Sequence, residues 1–107
     1  MMTDEQIKKL PWLALENYSD KLTPEQFDYC VREESPYALK YLADKLSEEQ
    51  FDFCVRKRPS VALYYCADKL TAEQLDYCVR ERPAVALAYC ADKLSEEQKK
   101  YCEEKTK

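Results

Sequence analysis

The chain contains no glycine and no histidine among its 107 residues. Without glycine there is no phosphate-cradling loop and no dinucleotide fingerprint, since both need backbone that only glycine supplies. Without histidine there is no Ser–His or Cys–His nucleophile pair and no imidazole metal ligand. These absences argue against ordinary catalysis, and no catalytic residue or cofactor is expected. No apolar run approaches the roughly 20 residues of a membrane span. The opening MMTDEQIKKLPW has neither an apolar signal core nor a cleavage signal, so a cytoplasmic location away from membranes is expected. Neither sign of charge dominates: 21 acids and 17 bases give −4, spread evenly along the chain. With no basic stripe, direct nucleic-acid binding is not expected.

What the chain has instead is repetition. Asp-Lys-Leu begins at Asp20, Asp44, Asp68 and Asp92, a period of 24 residues. Full units run over 20–43, 44–67 and 68–91, between an N-terminal capping unit (1–19) and a C-terminal one (92–107). The N-terminal unit reads as the same pattern with four residues missing from its middle. Repeats this short cannot close a core alone and must stack. The expected fold is all-α: a right-handed α-solenoid of helix-turn-helix repeats forming one domain.

Each unit opens with a helix-start signal. Thr3, Thr23, Ser47, Thr71 and Ser95 stand three residues before a Gln, the spacing of a capping box. Leu22, Leu46 and Leu70 precede the cap, placed to staple onto Phe27, Phe51 and Leu75. The first helix is expected to bury Phe27, Cys30 and Val31 with their equivalents, and to pair Asp28 with Arg32, Asp52 with Arg56 and Asp76 with Arg80. Prolines 36, 59 and 83 mark the turn into a second helix that is apolar almost all round. Its length suits either an α- or a 3₁₀-helix. Lys40, Tyr64 and Ala88 share its one tolerant, solvent-facing position. In the last unit Lys99 and Glu103 replace apolar residues, as a polar end cap requires, while Trp12, Leu13 and Leu15 are expected to seal the other end.

The 24-residue period, the Thr-Pro-Glu-Gln-Phe start and the Pro-x-x-Ala-Leu second segment resemble the leucine-rich repeat variant family over roughly residues 20 to 102. That resemblance implies a curved solenoid with one α-helix and one short 3₁₀ helix per unit. The family's amino-terminal cysteine cluster has no counterpart here. The two-helix unit is also similar to HEAT-type repeats.

The six cysteines fall in register: Cys30, Cys54, Cys78 and Cys102 in one column, Cys66 and Cys90 in another. Same-column residues lie about 10 Å apart at helix-packing distance, beyond the roughly 7 Å reach of a disulfide. Cross-column neighbours such as Cys66 and Cys78 come closer. Free thiols acting as small core hydrophobes are expected; a metal or cluster site on these columns is the alternative.

Tyr29, Phe53, Tyr77 and Tyr101 share a position on the outward side of the first helix, bordered by charge. They either fill the groove between adjacent first helices or form a row of anchors for a partner. The partner-binding expectation names these four with Arg32, Arg56, Arg80 and Tyr64. Tyr41, Tyr65 and Tyr89 are expected in the core with hydroxyls at its edge. The functional expectation is therefore a protein-binding module, a monomer or weak homo-oligomer, that recognises another protein. The alternative is a small acidic phage-type inhibitor that blocks a nucleic-acid-binding host enzyme.

Overall fold

In chain order the helices are α1 (Asp4–Lys9), α2 (Pro11–Tyr18), α3 (Pro24–Glu33), α4 (Ser35–Tyr41), α5 (Glu48–Lys57), α6 (Pro59–Cys66), α7 (Ala72–Glu81), α8 (Pro83–Cys90) and α9 (Glu96–Lys105). They come from a computed structural model that describes residues 2–106. All five capping boxes are made. Each hydroxyl accepts from the third helical N–H at 3.1–3.2 Å, and each Gln Oε1 accepts from the cap N–H at 2.9–3.0 Å. A cap of this kind stabilises a helix by about 1 kcal/mol, so the start of every odd-numbered helix is fixed locally.

A single residue separates the two helices of each unit: Leu10, Glu34, Arg58 or Arg82, with φ between −119° and −137°. Leu10, Arg58 and Arg82 each precede a proline, whose ring drives the preceding residue out of the helical region. In the first full unit Ser35 takes the proline's place. Its buried hydroxyl donates to the carbonyls of Val31 (3.3 Å) and Arg32 (3.2 Å). The second helices are α-helical. The 3₁₀ segments are the short turns Ala43–Lys45, Ala67–Lys69 and Ala91–Lys93 that carry Asp-Lys. Each full unit thus holds two α-helices and a 3₁₀ turn.

The molecule is elongated, 50 × 22 × 16 Å, with helices packed in sequence. Helices α1, α3, α5, α7 and α9 form one layer; α4, α6 and α8 lie side by side in the other. The core runs between them as columns: Ile7, Val31, Val55 and Val79; Cys30, Cys54, Cys78 and Cys102; Ala14, Ala38, Ala62 and Ala86; Leu15, Leu39 and Leu63. Phe27, Phe51 and Leu75, expected in the buried stripe, are only half-buried, because Cys and Val fill the narrow gap between layers. Trp12 is exposed and does not seal the end; Leu15 does. At the opposite end Leu87 is half-buried where Leu39 and Leu63 are enclosed, since no further second helix packs over α8.

The four missing residues of the N-terminal unit are also relocated. Asp4 stands 24 residues before Asp28 and accepts from Gln26 as Asp28 accepts from Gln50. What α1 lacks is therefore its first turn, not its middle, and its capping box starts one turn later than in the other units. Among the described residues no helix is long and apolar enough to cross a membrane.

Candidate functional site

Three periodic bond systems lock the units together. In the first, the capping Gln is shared. Gln50 Nε2 donates to Asp28 Oδ1 (3.1 Å), Gln74 to Asp52 (3.1 Å), Gln98 to Asp76 (3.4 Å) and Gln26 to Asp4 (2.5 Å). The other carboxylate oxygen accepts from the arginine four residues on, at 2.9 Å in Asp28–Arg32, 3.0 Å in Asp52–Arg56 and 2.9 Å in Asp76–Arg80. Asp28 is partly desolvated, yet Gln50 and Arg32 hold its pKa below the ordinary carboxylate value. The bond from Gln74 holds Asp52 low, and the bond from Arg80 holds Asp76 low.

The second system links the 3₁₀ turns. Lys45 pairs with Asp20 at 3.0 Å, and Lys69 with Asp44 and Lys93 with Asp68 follow the same 25-residue step. This explains why Asp-Lys recurs unchanged on the surface. The third uses thiols: Cys66 Sγ donates to the Leu39 carbonyl and Cys90 Sγ to that of Leu63, both at 3.2 Å.

The first-helix aromatics belong to the same lattice. Tyr29, Phe53, Tyr77 and Tyr101 are half-buried between successive first helices. The arginine of the preceding unit lies over each of the last three rings: Arg32 at 4.6 Å from Phe53, Arg56 at 5.0 Å from Tyr77 and Arg80 at 5.5 Å from Tyr101. Tyr77 Oη donates to the Arg56 carbonyl at 3.2 Å. These guanidiniums already hold a carboxylate and a ring of their own chain.

The second-helix face is different. Tyr41, Tyr65 and Tyr89, expected in the core, are 60, 46 and 60% exposed, and Tyr64 is 55% exposed. Ala38, Leu39 and their equivalents already fill the space between layers, so the rings stand outside. There they form a continuous strip. Tyr64 packs edge-on against Tyr65 and Tyr89, at 4.7 Å to each, and Tyr37 lies 4.8 Å from Tyr41. The Lys40 ammonium bridges the two parts, 5.0 Å from the Tyr41 ring and 5.3 Å from Tyr65. Lys40 and Tyr64 occupy the tolerant column, each filling the space between successive tyrosines, while Ala88 leaves Tyr89 open.

All six thiols are buried and free. Burial pushes their pKa values up, to about 11 for Cys30 and about 12 for Cys78, which suppresses thiolate chemistry. Among the described residues no three Cys, Asp or Glu side chains gather as a metal ion would require.

No protein-family model matches the chain, and no curated protein or solved structure matches it. The functional reading therefore rests on geometry. It brings together one named residue, Tyr64, with three tyrosines that the sequence pattern placed inside. An all-round apolar helix has no polar face to orient it. The signal that was available is steric: Ala and Leu at 38, 39, 62 and 63 suffice to fill a narrow interlayer gap.

Proposed function

We propose that this chain is a non-enzymatic, cytoplasmic protein-binding module whose partner docks on the second-helix strip of Tyr41, Tyr64, Tyr65 and Tyr89. The observation that carries this reading is the continuous exposure of four rings across three successive units. Aromatic rings with a polar handle and few rotatable bonds supply interface energy at low ordering cost. From α3 onward the scaffold is tied unit to unit by the Gln–Asp–Arg and Asp–Lys systems, so little is lost in ordering it on binding. In this reading Tyr29, Phe53, Tyr77 and Tyr101, with Arg32, Arg56 and Arg80, keep the units in register. Six free thiols fit a reducing compartment. The unit resembles leucine-rich repeat variants in its 24-residue period and HEAT-type repeats in its helix pair, but its second helix is α-helical where the former resemblance implies a 3₁₀ helix.

The test is retention of host proteins by the immobilised chain and by a Tyr64→Ser/Tyr65→Ser/Tyr89→Ser variant. A protein held in stoichiometric amount by the first and lost by the second, with helical circular dichroism unchanged, is the expected result. Equal retention by both, or none by either, overturns the proposal.

A further inference from the structure

The first-helix lattice changes at one step. Arg32 lies 2.9 Å from Asp28, 3.8 Å from Glu49 and 4.6 Å from the centre of the Phe53 ring. Arg56 repeats this with Asp52 (3.0 Å), Glu73 (3.9 Å) and Tyr77 (5.0 Å). Between α1 and α3 the corresponding groups are Asp4, Glu25 and Tyr29, but the covering residue is Lys8. Among the described residues Lys8 makes no ion pair and lies over no ring. The groove here holds a cleft of about 210 Å³ lined by Asp4, Ile7, Lys8, Glu25, Gln26 and Tyr29. Larger hollows of about 530 and 600 Å³ lie along the same face beside Arg32 and Arg56, so the missing guanidinium and not the volume sets this step apart.

We propose that this cleft binds the guanidinium of an arginine side chain presented by a protein partner. Its walls repeat the set of groups that holds a guanidinium twice elsewhere in the molecule: a ring face, a near carboxylate and a second carboxylate from the next helix. Gln26 donates to Asp4 Oδ1 as Gln50 donates to Asp28 Oδ1, which leaves Asp4 Oδ2 as the counterpart of the Asp28 oxygen that meets Arg32. A planar guanidinium engages carboxylates through its fork while stacking on a ring; an ammonium is a compact, strongly hydrated point charge. The chain supplies its own comparison, since the Lys8 ammonium borders the cleft and does not settle over Tyr29. The site lies on the first-helix face, and its test does not require the partner of the tyrosine strip.

Two measurements on the full chain decide it. In a ¹⁵N-resolved NMR titration, Nα-acetyl-arginine amide is expected to produce saturable shifts confined to Asp4, Lys8, Glu25, Tyr29 and their neighbours. The matching citrulline amide, of similar shape without the charge, is expected to produce none. Lys8→Arg, which places the chain's own guanidinium over Tyr29, is expected to weaken the arginine response at least ten-fold and to raise the folding equilibrium constant about two- to five-fold. No saturable response up to about 50 mM, where a single charge-assisted contact is readable, overturns the proposal. So does an equal response to citrulline amide, or a Lys8→Arg chain that is no more stable and still responds.

Discussion

Gln50 makes two bonds at right angles to the logic of a single helix: its Oε1 accepts from Ser47 N at 3.0 Å, and its Nε2 donates to Asp28 Oδ1 at 3.1 Å. One amide therefore starts a helix and fixes that helix against the preceding unit. A glutamate would serve the capping box equally well. Only an amide can also donate to a carboxylate, which accounts for Gln at every one of these positions.

Gln74→Glu separates the two roles. The cap survives, but a carboxylate then faces Asp52 in the most buried copy of this contact. A loss of about 1–3 kcal/mol at pH 7 is expected, measured by urea unfolding. The sign with pH is fixed. In the wild type Asp52 is held low, so its contribution is present above the unfolded carboxylate range and is lost as pH falls through its folded value. In the variant the paired carboxylates share a proton on acidification, so its deficit relative to wild type shrinks below about pH 4.

Alkali is expected to unfold the chain through its thiols. The folded Cys78 thiol ionises near 12, against an ordinary value of 9.0. A raised folded pKa gives stability that is complete below pH 9 and is lost as pH rises toward 12. The slope is about 1.4 kcal/mol per pH unit for each such thiol. Replacing Cys78 by Ala should flatten the decline between pH 9 and 11 by about that amount in urea titrations. An unchanged slope would place the thiol in water.

Ring truncations separate lattice from strip. Phe53→Ala with Tyr77→Ala removes two half-buried rings, two arginine contacts and the hydrogen bond to the Arg56 carbonyl. A loss of about 3 kcal/mol or more is expected. Tyr65→Ser with Tyr89→Ser touches exposed rings and should cost about 1 kcal/mol or less. Thermal unfolding of both variants makes the comparison, and the reverse order would put the tyrosine strip in the core.

Position along the stack should govern the cost of one truncation. Leu63→Ala opens a cavity in an enclosed layer, with an expected loss of about 2–5 kcal/mol. Leu87→Ala removes the same atoms from a half-buried site and should cost less than half as much. Equal losses in urea unfolding would mean that α9 covers α8 as fully as another unit does.

Much of this architecture was legible in the chain itself. The boxes at Thr23, Ser47, Thr71 and Ser95 and the prolines at 59 and 83 act within a few residues, so sequence alone placed helix starts and breaks. The i, i+4 pairs from Asp to Arg were legible for the same reason. Contacts at steps of 21 to 27 residues were not, because nothing in a single unit says which of its polar atoms reach the next.

The sequence by itself determined the period, the helices, the thiol and valine columns and the polar last unit, all set by short-range backbone chemistry and the spacing of apolar residues. Only the tertiary structure decided that Gln and Asp-Lys bind across units, that arginines cover the rings of Phe53, Tyr77 and Tyr101, and that Tyr41, Tyr65 and Tyr89 face outward. The reason is volume: alanine, cysteine, valine and leucine fill the thin space between two helical layers, and the larger rings are left at its edges and on its surface.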